Sequence, residues 1–194
     1  MHFHFNEKQS TQAAALLIKR NANQLNYMKL IKLLYIVDRT ALLTWQHPIT
    51  GDTYHSLPSG PVLSTILYKI SSGPNPAIQD YWSSVIRKST EDSYAVTTIS
   101  EPEYDELSKR EIRLLTSIDD TFKTYSQWDM VDYCHHNLPE WKDPHGSSDQ
   151  ITIEDILKAS VSEKSDDELE YLLDTVAFKI DIDRKNCKMA NATR

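Results

Sequence analysis

At 194 residues, with 21 basic against 28 acidic side chains, a net charge of −7 and a pI near 5.5, the chain can build one sizeable core but is too acidic for a main role on nucleic-acid phosphates. Its hydrophobic content of 40% is ordinary for a globular protein, and no apolar run approaches the length of a membrane span. The opening Met1-His2-Phe3-His4-Phe5 lacks the basic and apolar regions of an export signal. A cytoplasmic location is therefore expected, with Cys134 and Cys187 as free thiols and the acceptor triplet Asn191-Ala192-Thr193 a chance match.

In chain order, Asn6 with Gln9 reads as a capping pair that opens a helix to Arg20, and Asn21-Ala22-Asn23 breaks it. The next helix, Asn26 to Trp45, carries Tyr27, Leu30, Ile31, Leu34, Val37, Ala41, Leu42 and Trp45 on one stripe and Leu33, Ile36 and Leu43 opposite. Being apolar nearly all round, it is the expected central core helix. Gly60-Pro61 reads as an N-cap with proline at the first helical position, opening a helix through Val62, Leu63, Ile66, Leu67 and Ile70 that Gly73 and Pro74 end.

Between Ser83 and Ser100 the segments "SVIRK" and "YAVTTI" flank the polar "STED", which predicts a small β-hairpin. Ser108 with Glu111, Ser126 with Asp129, Thr152 with Asp155, and Ser165 with Glu168 each mark the start of a helix. The expected fold is mainly α, one compact domain with a central buried helix and a hairpin insertion at about residues 83–100. It is divided into a main domain over residues 1–162 and a C-terminal helix with a basic tail over 163–194.

Asp38 is the residue that this pattern leaves unexplained. At 100° per residue it falls between Leu34 and Leu42, inside the main apolar stripe, where an uncompensated carboxylate would be several kcal/mol unfavourable. The stretch "GDTYHSLPSGPV", Gly51 to Val62, offers donors: the Tyr54 hydroxyl, the His55 ring, the Ser56 and Ser59 hydroxyls, and the free amides after Gly60. Asp38 therefore reads first as a clamp that holds this loop to the core, ahead of a partner contact or a catalytic acid or base.

"MKLIKLLYIVDRTAL", the "ITGDTYHSLPSGPV" loop, "LSKREIRLL", "WDMVDYCHHNLPEWKDP" and "ITIEDIL", in that order over residues 7 to 160, resemble the Panacea domain of bacterial and phage antitoxins that includes the SocA-type proteins. The resemblance implies a mainly helical, non-enzymatic domain that needs no cofactor and neutralises a protein toxin encoded beside it. It places Lys32, Leu33, Tyr35, Asp38, Gly51, Tyr54, Gly60, Pro61 and Val62 in a first motif, and Glu140, Trp141 and one of His135 or His136, with His135 favoured, in a second. Some relatives carry a DNA-binding domain ahead of this module; only about six residues precede the first helix here, so no direct nucleic-acid binding is expected. A homodimer or a heteromeric complex is compatible with this reading, and a prophage origin fits it.

Other chemistries fit the residues less well. Cys134, His135 and His136 project about 100° apart on one helix, so they do not converge on a metal ion, even with Asp143 and His145 downstream. His135, seven residues after Trp128 and four after Val131, is expected to face the core with a hydrogen-bond partner, and Trp141 is either a lid on the core or an exposed anchor. No G-x-S-x-G elbow and no phosphate-cradling glycine loop occurs. Glu163, Asp166, Asp167, Glu168, Glu170 and Asp174 read as a solvated helix start that could also attract a basic toxin, while Arg184, Lys185, Lys188 and Arg194 make the tail basic. Neutralisation by direct complex formation is the leading function. Delivery of a toxin to a protease, or less readily a metal-dependent enzyme, are its alternatives.

Overall fold

The computed structural model describes residues 1–73, 80–160 and 166–192. Asn6 caps α1, Glu7–Arg20, by accepting from the Gln9 amide at 3.1 Å, and Ala13, Ala14 and Ala15 on this helix are fully buried. Ala22 and Asn23 both take positive φ after it, which turns the chain into β1, Leu25–Asn26. The Asn26 side chain then caps α2, Tyr27–Trp45, through the Met28 and Lys29 amides. As its apolar pattern requires, α2 is buried on every side, from Lys29 through Asp38 and again at Ala41 and Leu42.

The segment after α2 departs from expectation. Gly60-Pro61 does not open a helix; it starts β3, Gly60–Leu63, which pairs antiparallel with β2, Tyr54–Leu57. Proline's fixed φ suits an extended strand as well as a first helical turn, and β3 lies at a sheet edge where the missing amide is tolerated. Pairing with β2 decides between the two. The helix starts later, as α3, Ser64–Ser72, after Leu63, whose side chain makes no cap bond. Asp52 supplies the cap instead, accepting from the Thr65 and Ile66 amides, each at 3.0 Å.

A short α4, Tyr81–Val85, takes up Ser83–Val85, so the first hairpin arm is only β4, Ile86–Lys88. It pairs with β5, Ala95–Thr98, which also pairs with β1, giving the order β1-β5-β4. Capping boxes open α5, Lys109–Thr121, and α6, Gln127–Asn137, as Ser108/Glu111 and Ser126/Asp129 predict. After β6, Asp149–Ile151, which completes a second sheet of order β3-β2-β6, Thr152 and Asp155 exchange the same bonds at the start of α7, Ile153–Ser160.

The last described helix is α8, Asp166–Ala192; the Ser165 cap, Pro74, Glu163 and Arg194 lie outside the described residues. Buried Val176 and Ile180 hold α8 to the core. Lys179 Nζ donates to the Trp45 carbonyl at 2.5 Å, where the last carbonyls of α2 favour a cation, and the His4 amide donates to Asp183 at 2.7 Å. Among the described residues, eight helices and six short strands make the fold mainly α, with α2 at its centre.

The N-terminal segment lies tightly over the loop that follows α2. Gly51 has φ +66, and a Cβ built there would sit 2.2 Å from the His4 carbonyl oxygen. Gly51→Ala is therefore expected to destabilise the fold by at least about 2 kcal/mol, read as a lower urea midpoint with unchanged slope.

Candidate partner-binding site

On α2, four buried polar side chains recur at every third position: Lys29, Lys32, Tyr35 and Asp38. Each three-residue step turns about 60° backwards around the helix, so they reach outward along a spiral to four different segments. Lys29 Nζ donates to the carbonyls of Phe122, Lys123 and Tyr125 between α5 and α6. Lys32 Nζ donates to the Pro61 carbonyl in β3 at 2.8 Å. The Tyr35 hydroxyl donates to Glu140 at 2.9 Å, beyond α6. Asp38 holds the loop after α2.

Asp38 is wholly buried and accepts from the Ile49 amide at 2.8 Å, the Thr50 amide at 3.0 Å, the Tyr54 hydroxyl at 3.1 Å and the Thr50 hydroxyl. Of the donors expected from the sequence, only Tyr54 takes part; the others lie just before Gly51. The reason is geometric. Asp38 is near the end of α2, and the chain that reverses after Trp45 returns past it first with Ile49 and Thr50. His55 instead meets the Ser64 hydroxyl at 2.6 Å, Ser56 lies 3.5 Å from the Lys142 amide, and the amides after the strand are held by Asp52. Thr50 links the Asp38 carboxylate to the backbone of Asp52, since its hydroxyl also accepts from the Asp52 amide at 3.1 Å.

Burial pushes the Asp38 carboxyl up to about 6, against the pull of its donors Thr50, Ile49 and Tyr54. Burial likewise lowers Lys32 to about 8, raises Cys134 to about 11, and carries the Tyr35 and Tyr54 hydroxyls well above their ordinary range, helped by Glu140 and Asp38 respectively. At neutral pH, Asp38 thus meets its donors mostly as a carboxylate and Lys32 meets the Pro61 carbonyl mostly as an ammonium.

Gly60 has φ +98, and a Cβ there would lie 3.0 Å from Lys32 Nζ and 3.3 Å from the Cys134 Cβ. It is the gap through which Lys32 reaches Pro61. Ser59 sits half-buried at the turn between β2 and β3. Beside this turn, Trp141 Nε1 donates to the Leu57 carbonyl at 3.0 Å, and the Trp141 ring stacks on His135 at 3.9 Å. His135 is half-buried, and its Nε2 is enclosed without a hydrogen-bond partner among the described residues, so stacking, not the expected hydrogen bond, holds it. Trp141 is an edge lid that is packed against the core and still partly open.

Glu140 is the hub of this corner. Its buried carboxylate also accepts from Arg39 Nε at 2.7 Å and from the second Arg39 nitrogen at 3.3 Å. Cys134 is buried, His135 stacks on Trp141 and His136 is exposed, so the three diverge. Among the described residues no group of three His, Cys, Asp or Glu side chains could hold a metal ion.

A family model for the Antitoxin SocA-like, Panacea domain matches residues 30–142, more than half of the chain. The chain belongs to the Panacea family. No curated protein and no solved structure matches it. The matched stretch begins one residue after Lys29 and ends one residue after Trp141, so it encloses the Lys32, Tyr35 and Asp38 contacts together with the segments that they hold. In this Panacea chain, Thr50, Asp52, Arg39 and Lys29 complete the site, and residue-by-residue reading did not single them out. Asp52 had a signal: Leu63 cannot cap α3, so the first amides of that helix need a distant acceptor.

Asp38→Ala is expected to lower stability by roughly 2–4 kcal/mol in urea denaturation, because it strands buried donors and leaves a small void. The pH dependence of Lys32 has a defined sign. Between about 8 and 10.5 the unfolded chain keeps a proton that folded Lys32 has released, so stability rises with pH in that window. Measured against Lys32→Met over the same window, the parent should gain roughly 3 kcal/mol. Asp38 acts oppositely, its contribution falling as pH rises from 3.8 to about 6.

Proposed function

We propose that this chain is an antitoxin that binds a protein toxin encoded beside it and neutralises it by direct, stoichiometric complex formation, without turnover. Membership of an antitoxin-like family supports the class of activity. The observation that supports direct binding is an exposed tryptophan on the helix that also carries the braced hairpin corner. Trp128 is 61% exposed and stands seven residues before His135, hence on the same line of α6. His135 stacks on Trp141, and Trp141 is tied to Leu57 at the β2–β3 turn.

Tryptophan is enriched among the few residues that dominate binding energy, and an anchor set on immobilised backbone loses little entropy when it docks. Leu57, Pro58 and Ser59 give the rim of the surface, with Pro58 exposed. The buried residues Asp38, Tyr54, Gly60, Pro61 and Glu140 act beneath it as the frame. Occlusion of a toxin requires a rigid surface complementary to it, and the buried frame supports the rigidity.

The test starts from the neighbouring reading frame. Its expression should arrest growth unless this chain is co-expressed, and the two proteins should co-purify. Trp128→Ala should weaken the complex by about thirtyfold or more while leaving the urea midpoint unchanged. Toxin that disappears only when a cellular protease is active would point to delivery for degradation. An unchanged affinity for Trp128→Ala would place the interface elsewhere.

A further inference from the structure

α8 carries two apolar faces, and only one of them is used by the fold. Leu169, Leu173, Val176 and Ile180 fall within a sector of about 60° and pack on the core. On the opposite side, Tyr171, Phe178 and Ile182 fall within about 40° of one another and are 70%, 67% and 41% exposed. A surface helix needs a single apolar face, so a second one, with Phe178 and Ile182 on successive turns and Tyr171 two turns before them, points to a partner.

The charges beside this outer stripe select the partner. One flank of the stripe carries Glu170 and Asp174 in its first half and Lys185 and Lys188 in its second. Around a two-fold axis, antiparallel helices bring like flanks together, so the acidic half of one copy meets the basic half of the other. In a parallel pair the two-fold axis runs along the helices and sets this flank against the opposite one, so Glu170 and Asp174 would not meet Lys185 and Lys188.

We propose that the outer face of α8 is a self-complementary surface on which a second copy of this chain docks antiparallel, with Phe178 of each copy against Ile182 of the other. Phe178 and Ile182 lie two residues before and after the level of residue 180, so an axis at that level makes the contact reciprocal. The same axis brings Asp174 within one residue, about 1.5 Å of rise, of Lys185 of the second copy, and Glu170 within two residues of Lys188. Asp181 lies near the axis on this flank, where it approaches its own counterpart. Lys185, 3.8 Å away on the same helix, offsets that charge. Lys179 lies on the other flank and is already committed to the Trp45 carbonyl.

The contact is one helix against one helix, so a micromolar dimer is expected. Sedimentation equilibrium of the full chain in reducing buffer should show a monomer–dimer equilibrium. Phe178→Asp should abolish it with no change in urea midpoint, since this side chain is largely exposed in the monomer. Asp174→Lys should weaken the dimer about tenfold, and Lys185→Asp added to it should restore parental affinity. A parent that stays monomeric at about 100 μM overturns the proposal. So does a dimer that survives Phe178→Asp, or a double exchange that fails to restore pairing. If the monomeric parent instead loses its toxin on Phe178→Asp, the stripe belongs to the toxin interface and the proposal also fails.

Discussion

A helix buried on every side leaves its polar side chains no access to water, and α2 meets this constraint by turning each of them into a grip on irregular chain. Lys29, Lys32, Tyr35 and Asp38 could not remain unpaired without penalties of several kcal/mol each. Their partners are almost all loop or strand-edge groups: the carbonyls between α5 and α6, Pro61 in β3, Glu140 after α6, and Ile49 and Thr50 after α2. The connections that would otherwise be the most mobile parts of the domain are thus fastened to its most rigid part. Asp38 extends the effect through Thr50 to Asp52 and on to the first turn of α3, so a single carboxylate fixes the loop after α2 and, at one remove, the start of the next helix.

The ion pairs divide by environment. Arg39 with Glu140 is a pair in which the carboxylate is inaccessible and also accepts from Tyr35. Such a pair contributes little against an apolar alternative, yet removing one partner leaves a buried charge without compensation, so its structural consequence is specificity of position. Lys8 with Asp105 and Lys185 with Asp181 lie at the surface, where solvent screening leaves little net stabilisation. The shape of the hairpin corner therefore rests on the buried contacts.

Much of this architecture could be read along the chain because it is written in local patterns. α2 announced itself by apolar residues on both sides, Asp38 by its place among them, and three helix starts by paired capping residues whose bonds form as spaced. What escaped was decided across distance. Gly60-Pro61 is locally compatible with a strand or a helix start, and only pairing with Tyr54–Leu57 selects the strand. Arg39 and Glu140 are separated by 101 positions, so nothing near either identifies the other. Nothing near Lys29 or Lys32 in the sequence shows that they are buried; their burial follows from the loops that close over α2.

The braced hairpin corner has a consequence for recognition. Binding through a loop ordinarily loses part of its interaction energy to ordering that loop, an amount that grows with each residue immobilised. At the β2–β3 turn the ordering is already complete: Lys32 holds one strand from below, Trp141 holds the other from the side, and Gly60 leaves the space that lets the ammonium reach Pro61. The exposed Pro58 of the turn, and Trp128 on the line of His135, can then vary in identity without disturbing the frame, because neither of them supplies a buried contact that fixes it. A fixed frame beneath a replaceable rim is a physical basis on which this corner could meet a protein surface. Under the proposed function it also separates two kinds of substitution: those in the frame would act through stability, and those on the rim through affinity.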